Sequence, residues 1–229
     1  MKQARFRAPA RPGPAPTPTP FVLDLIAALG EEAVQWQPER LRAYEYDGSI
    51  DVGHPEAVAL ISRASDATAA LRIAAKHGRP VVPRGSGTGL SGGAVLTRGG
   101  LALTFSKMRG VSSIDAANLR ATVEPGVINL DVSRAVAPHG LYFAPDPSSQ
   151  AACSIGGNIA ENAGGAHCLA YGVTTNHVTG LACILADGTS LDTGTLSGAN
   201  RAPDPPGYDL TGAIVGSEGT FAVVTQANL

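Results

Sequence analysis

A chain of 229 residues with 44% hydrophobic and only 16% charged residues, 28 Gly, 17 Pro and a formal net charge of −2 is poorer in charge and richer in glycine than an average soluble domain, which carries about 25% charged residues and about 7% Gly. The hydrophobic share suffices to bury a core, which excludes a wholly disordered chain. No run reaches the roughly 18 apolar residues of a spanning helix, and 17 Lys+Arg against 19 Asp+Glu lack the basic excess of a nucleic-acid binder. Abundant glycine with little charge points to a ligand gripped by main chain, and the length fits one large or two small domains.

Residues 1–20 carry Lys2, Arg5, Arg7 and Arg11, no acid, and Pro9, Pro12, Pro14, Pro16, Pro18 and Pro20. Proline alternating with Ala and Thr favours an extended tail that does not pack, so 1–20 is expected to be disordered. No apolar stretch precedes the prolines, which argues against a secretory signal. Thr19 then caps a predicted helix with Pro20 in its first position. Phe21, Val22, Leu25, Ile26 and Leu29 share one face, and Gly30 ends this short, peripheral helix.

From residue 57 strands and helices alternate. AVALI (57–61) reads as a strand. Ser65 caps a helix running through Ala75, with Leu71 and Ala75 facing inward, His77 in the last turn and Gly78 closing it. RPVVP (79–83) returns as a buried strand, and the strand–helix–strand order suggests a small α/β layer. LALTF (101–105) and LRATVEPG (119–126) read as strands, Leu130 to Ala137 as a helix stopped by Pro138, GLACILADGTSLDT (180–193) as a hairpin about Asp187-Gly188, and TFAVVTQANL (220–229) as a final strand. The pattern is α+β, with two lobes divided near residue 110.

Three segments carry the chemistry. PRGSGTGLSGG (83–93) places Gly85, Gly87, Gly89, Gly92 and Gly93 directly after a predicted strand. Glycine permits positive φ and leaves no Cβ in a ligand's way, and successive backbone N–H groups converge on an anion as a nest. Ser86, Thr88 and Ser91 add hydroxyls. No Gly-Lys-Ser/Thr follows, as a Walker loop requires, and the glycine spacing is not that of a Rossmann turn. A phosphate-holding loop is thus preferred over a merely flexible one. The second segment runs from Asp146 to Asp187, between which Glu161 is the one formally charged side chain. Ser154 caps a short helix through Asn162, with Gly164 as its stop. Gly156 and Gly157 in its first turn either leave N–H groups approachable or allow tight packing against a neighbour. In the third segment, GYDLTGAIVGSEGTFAVVT (207–225), Asp209 caps a short helix and Gly216-Ser217-Glu218-Gly219-Thr220 turns into the last strand.

PRGSGTGLSGG, PDPSSQAACSIGGNIAENAGG (145–165), YGVTTNH (171–177) and GSEGT (216–220), in this order, resemble the FAD-linked oxidases with a vanillyl-alcohol-oxidase (PCMH-type) FAD-binding domain. Within that family the similarity is to the large flavin subunit of glycolate oxidase and to D-lactate dehydrogenase. The resemblance covers roughly residues 20–229. It implies an FAD-binding domain over 55–229, of two α+β lobes (about 55–110 and 111–229) with FAD between them, preceded by a helical segment over 21–54. It assigns the pyrophosphate to the loop of Pro83, Arg84, Gly85, Ser86, Gly87, Thr88, Gly89, Leu90, Ser91 and Gly92. The ribityl chain and isoalloxazine fall to Pro145, Asp146, Ala152, Cys153, Ser154, Ile155, Gly156, Gly157 and Asn158, with Asn162 and Gly165 nearby. Tyr171, Gly172 and Val178 complete that wall, and Glu218, Gly219, Val223 and Val224 approach the adenosine end. No histidine stands in the loop, so non-covalent FAD is implied.

The chain departs from the family at PDPP (203–206), Ala170 and Ala222, and it ends at Leu229 before the cap domain of the relatives. The resemblance implies hydride transfer from a 2-hydroxy acid to flavin, in a chain truncated or completed by a cap-bearing or iron–sulfur partner subunit. It implies a cytoplasmic setting, peripheral to the inner membrane through partners. The alternative is a non-catalytic flavin-binding or assembly subunit; a sugar-nucleotide reductase of the same fold is disfavoured by PDPSSQAACSIGGN. His54, His77, His139, His167 and His177 form no triad or metal spacing, so neither a catalytic residue nor a metal ligand is assigned. Cys153, Cys168 and Cys183 contain no CxxC pair and read as free thiols.

Overall fold

The computed structural model describes residues 17–196 and 207–229. The proline-rich stretch through Pro16 and the PDPP departure lie outside the described residues. Seven α-helices and nine strands make up this part of the chain: α1 (Pro20–Leu29), β1 (Val34–Gln35), α2 (Pro38–Leu41), β2 (Ala57–Leu60), α3 (Ala64–Lys76), β3 (Val81–Arg84), β4 (Leu101–Thr104), β5 (Val111–Asp115), β6 (Arg120–Val123), α4 (Asn129–Val136), α5 (Ile155–Glu161), α6 (Cys168–Tyr171), β7 (Gly180–Ile184), β8 (Ser190–Asp192), α7 (Leu210–Ile214) and β9 (Val223–Asn228). No helix among them is long and apolar enough to cross a membrane.

Two sheets result. The first has strand order β1-β2-β4-β3, with β2 and β3 both parallel to β4 and β1 antiparallel at one edge. Parallel strands need a crossover, and α3 supplies it between β2 and β3. Both faces of this sheet are covered, as parallel sheets require. Ala57, Ala59, Leu101 and Leu103 face α1 and α3, whereas Val58 and Ala102 face Leu41 and Leu96 on the other side. The second sheet, β5-β6-β9-β7-β8, is antiparallel throughout, and α4, α5 and α7 contribute to its core through Val132, Ile155, Ile159 and Ile214. Ile184 of β7 and Val223 of β9 pack into the first sheet's core rather than their own, so apolar burial is continuous across the two halves.

The structure corrects several local expectations. Helix α1 is not peripheral: Thr19 Oγ1 accepts from the Val22 N–H as a cap, and Phe21, Val22 and Leu25 are buried in the first core. Lys76 Nζ (2.7 Å) and His77 Nε2 (2.8 Å) both reach Asp24 Oδ2 and tie α3 to α1. Ser65 does not cap α3. The N-cap position is Arg63, and Ala74 rather than Ala75 is buried, one position earlier on the helical wheel. RPVVP is only half-buried because β3 is the sheet edge, where Pro83, which cannot donate to a ladder, is tolerated. β5, with its weakly apolar VSSID, was not expected as a strand; it too is an edge. Helix α5 stops at Asn162, which adopts a left-handed φ of 48°, not at Gly164.

Phe21 is 1% exposed in the shared core, so Phe21→Ala is expected to cost about 3–5 kcal/mol, the range for truncating a buried aromatic. Urea unfolding checks this: the midpoint falls with m unchanged. A peripheral helix would leave the midpoint within about 0.5 kcal/mol of the parent.

Candidate functional site

The glycine-rich loop leaves the end of β3 at Arg84, and its direction is set by that side chain. The Arg84 guanidinium is buried (6% exposed). It donates to the Tyr46 carbonyl at 2.7 Å and to the Ala94 carbonyl at 3.0 Å, and it lies 5.8 Å from the centroid of the Tyr44 ring. The Gly48 N–H donates to the Gly89 carbonyl (2.9 Å) and the His54 N–H to the Leu96 carbonyl (3.1 Å). Residues 44–54 therefore clasp the outer side of the loop. Gly87 has a φ of +69°, and a Cβ there would collide with the Arg84 guanidinium, which explains the glycine on both conformational and packing grounds.

On its inner side the loop is bare. Among the described residues, no backbone N–H from Gly85 to Gly93 donates to a protein acceptor. Backbone donors rarely go unpaired unless water or a ligand takes them. They border a cavity of about 120 Å³ lined by Pro83, Gly85–Gly89, Gly93 and Ala94, by Cys153, Ser154, Gly157 and Asn158 around the start of α5, and by Asp47, Glu161 and Glu218. Two smaller hollows, each about 40 Å³, also touch Gly85 and continue toward Gly156, Gly219 and Val224 on one side and Gly126 and Ile128 on the other. A Cβ on Gly85 would stand 2.6 Å from Ser154 Oγ and 3.2 Å from Gly157 Cα, so loop and helix start meet closely only because position 85 has no side chain.

Of the two readings for Gly156 and Gly157, the structure takes the packing one for Gly156, whereas Gly157 lines the cavity and a Cβ there would meet only Ser154 Oγ, at 3.3 Å. Ile155 N–H donates to Val127 O (2.8 Å), Gly156 N–H to Pro125 O (2.8 Å), Gly157 N–H to Ser154 Oγ (3.3 Å) and Asn158 N–H to Ser154 O (2.9 Å). The first turn of α5 thus has no free donors. A Cβ on Gly156 would press on Pro125 at 2.8 Å. At the other end of α5, Gly216 N–H donates to Ile159 O (2.8 Å) and Glu218 N–H to Ala160 O (2.9 Å). The GSEGT turn thereby closes the helix, with Glu218 in a left-handed conformation (φ 52°).

The structure gathers Pro83, Gly85, Ser86, Gly87, Thr88, Gly89, Cys153, Ser154, Gly157, Asn158 and Glu218 from the expected set around the 120 Å³ cavity, and Arg84, Gly156, Gly219 and Val224 around an adjoining hollow. Val223 lines a separate groove under Phe221. Other expected residues stand apart from these walls. Leu90 is exposed and Ile155 buried in the second core. Ser91 donates through its hydroxyl to Glu161 (3.1 Å), and Gly92 lies against Asp51. Pro145 gives its carbonyl to Asn129 Nδ2 (3.0 Å). Asp146 pairs with His167, which holds its carboxyl below the ordinary value, and Gly165 abuts Asp146. Ala152 is exposed, Asn162 Oδ1 accepts from Thr175 N–H (2.9 Å), and Tyr171 stacks edge-on with Tyr142. Gly172 sits against Asn176 and Val178 in the second core. No group of three or more His, Cys, Asp or Glu side chains among the described residues is placed to hold a metal ion.

Asp47 and Glu161 were not foreseen. Asp47 is drawn in by tertiary contacts alone: burial works to raise its pKa, but hydrogen bonds from Ser49 and Ala94 and the charge of Arg84 hold it below the ordinary value. Glu161 did leave a signal, as the lone charge in a long uncharged stretch. Burial pushes its pKa up, the charges of Glu218 and Asp47 add to that, and the Ser91 hydroxyl opposes it. Asn158, 2% exposed, holds its Nδ2 without a hydrogen-bond acceptor among the described residues beyond the weakly accepting Cys153 thiol.

A βαβ-containing sheet, an antiparallel sheet and a glycine-rich loop between them define a class. The chain belongs to the FAD-binding-domain family (PCMH-type), whose model matches residues 55–194. Among its relatives, a glycolate oxidase subunit, GlcD, of Bacillus subtilis is 48% identical over 185 residues, covering 80% of this chain and 38% of that protein. A D-lactate dehydrogenase of Archaeoglobus fulgidus is 39% identical over 192 residues, covering 82% of this chain and 42% of that protein. The chain thus spans about two fifths of the length of these relatives. Among solved structures, alkyldihydroxyacetonephosphate synthase superposes with a TM-score of 0.80 at 18% identity, covering 94% of this chain and 44% of that one, which establishes the fold.

A carboxyl whose folded pKa lies above its unfolded value binds its proton more tightly in the native state. Its contribution to stability is then whole below the unfolded pKa and is lost as pH rises through the folded one. For Glu161 that window opens at about its ordinary 4.5 and extends upward. Glu161→Gln is expected to flatten the decline of stability above that pH, checked by chemical denaturation of parent and variant at pH 4.5, 6 and 8; parallel curves would remove the assigned role of burial.

Proposed function

We infer that the cavity between the glycine-rich loop and α5 holds FAD without a covalent link, and that the chain is the flavin-binding portion of an oxidoreductase acting on a 2-hydroxy acid. One observation carries this reading: Gly85–Gly89 and Gly93 line the cavity, and their N–H groups donate to no acceptor among the described residues. Amide donors on a loop whose glycines put no Cβ in the way fit a pyrophosphate. Asn158 Nδ2, buried and lacking a strong acceptor, fits a ligand oxygen, since such a donor is costly when left unpaired. Ser86, Thr88 and Ser154 add hydroxyls. A covalent link would need a nucleophile on the wall. The lining contains no histidine, and burial raises the pKa of the Cys153 thiol, which favours the unreactive protonated form.

FAD supplies, when bound, the two-electron acceptor for oxidising a C–OH group to a carbonyl. The residues of this chain bind and orient it. The 2-hydroxy acid is taken from the relatives named for glycolate and D-lactate. A substrate-binding portion outside this chain, or a partner subunit such as an iron–sulfur protein, completes the catalyst in this reading. The chain works in the cytoplasm and reaches the inner membrane only through partners.

Saturating FAD, at about a hundred times its Kd, is expected to add about 2.7 kcal/mol of stability, or roughly 5–10 °C in Tm for a chain of this size. Gly87→Val places a branched side chain at positive φ against Arg84 and is expected to abolish uptake while the far-UV circular dichroism is retained. Differential scanning fluorimetry and the visible spectrum after gel filtration read both effects. A colourless parent whose Tm ignores FAD would refute the reading.

A further inference from the structure

The cavity between the glycine-rich loop and α5 is walled by acids. Among the described residues, Asp47, Glu161 and Glu218 line it, and no Lys, Arg or His side chain does. Glu161 and Glu218 crowd one point on the loop. From the position that a Cβ on Gly93 would occupy, Glu218 Oε2 is 2.8 Å away and Glu161 Oε1 2.9 Å. Glu161 Oε1 also lies 3.6 Å from the equivalent position on Gly89, so this carboxyl stands against the stretch whose N–H groups lack protein acceptors. Two further atoms leave the wall unfinished. Asp47 is 8% exposed with an Oδ2 that has no donor among the described residues, and Asn158 is 2% exposed with an Nδ2 that has no strong acceptor. Buried polar groups of this kind are costly unless a ligand or water meets them.

The surroundings of Glu161 offer its charge no cation. Glu218 acts on it from the turn before β9 and Asp47 from the segment that clasps the loop, both with like charge, and Asp51 lies against Gly92. The Ser91 hydroxyl donates to it (3.1 Å) and is neutral, and the Cys153 thiol on the same lining is kept protonated by burial. Arg84 spends its guanidinium on the Tyr46 and Ala94 carbonyls. A pyrophosphate seated on the loop amides adds a doubly anionic group beside these carboxylates. Neutralising Glu161 removes the conflict, and a protonated carboxyl gains an O–H donor for a phosphate oxygen. We propose that Glu161 takes up a proton from solvent when FAD binds and donates it to the cofactor's phosphate in a hydrogen bond, so that the chain loads FAD together with a proton and releases it as pH rises. The inference rests on the assignment of FAD to this cavity and adds a proton-binding group to it. Burial and the neighbouring charges already hold the Glu161 pKa above its ordinary 4.5; the cofactor's charge raises it further. The coupling is reciprocal. FAD affinity is whole below the pKa of Glu161 in the free chain, falls by up to about tenfold per pH unit above it, and levels off where the bound form loses its proton as well.

The experiment titrates the purified chain with FAD by flavin-fluorescence quenching from pH 5.5 to 8.5, for the parent, Glu161→Gln and Glu218→Gln. The pyrophosphate has no proton to gain in this range, so a slope reports the protein. The parent is expected to lose at least about tenfold in FAD affinity across it. Glu161→Gln keeps an N–H donor that cannot titrate and is expected to bind FAD with a flat profile, exceeding the parent most at pH 8.5. Glu218→Gln is expected to keep the slope and move it to lower pH. A merely loosened fold does not tighten binding at high pH. A second measurement needs no variant: calorimetric titration of the parent with FAD at pH 7.5, in two buffers of different ionisation enthalpy, is expected to read net proton uptake. A parent that binds FAD with a flat profile and no proton uptake, or a folded Glu161→Gln that keeps the parent's slope, overturns this proposal and leaves the FAD assignment standing. Tightening at pH 8.5 by magnesium chloride without proton uptake overturns it in favour of a metal cation. A parent that binds no flavin at any pH overturns both.

Discussion

The geometry of the site hangs on one buried guanidinium. Arg84 opens the glycine-rich loop, and its sequence position would suggest a side chain reaching for phosphate. Instead it turns outward and ties the carbonyls of Tyr46 and Ala94 together, one before the loop in sequence and one at its far end. A buried cation is stable only with such partners, and here the partners are backbone, which fixes chain direction as well as charge. With its outer side held by residues 44–54, the loop has no need to satisfy its own N–H groups by folding on itself. They are left without protein partners at a loop whose two ends Arg84 holds in place.

The opposite wall is built by a similar division of labour. Helix α5 is short, and both its ends are closed by residues from elsewhere: Pro125 and Val127 at the start, Gly216 and Glu218 at the finish. Its first turn offers nothing to a ligand. What it contributes is position, since the absent side chains of Gly156 and Gly85 let it press against Pro125 and against the loop, bringing Asn158 and Glu161 to the cavity. Glycine thus serves two purposes within one site, exposed donors on the loop and close approach on the helix.

The parts legible in the sequence were those governed by local chemistry. Thr19 before Pro20, Ser154 before its helix and Asp209 before α7 all act as the caps their positions announced, and the hairpin about Gly188 forms where Asp-Gly interrupts two apolar runs. Misreadings occurred where tertiary context decides. Ser65 looked like a cap, but Asp66 draws the start of α3 back to Arg63 by accepting from Ser62 and Arg63. β3 looked buried because its residues are apolar, though edge position is a property of the sheet. Asn162 ends α5 ahead of the more obvious Gly164, since Asn tolerates the left-handed region. Of the site, the glycine-rich loop was plain from spacing, whereas Asp47 arrives by a contact that no spacing records.

The sharing of Ile184 and Val223 between the two halves has a mechanical meaning. Domains joined by a polar seam open like a hinge and admit a large ligand between them. Here separation would expose Ile184 and Val223, so opening the seam costs the burial of shared core. A lesion in the first sheet's core therefore reaches the second half through packing that the two share, and not only through residues on the cavity wall.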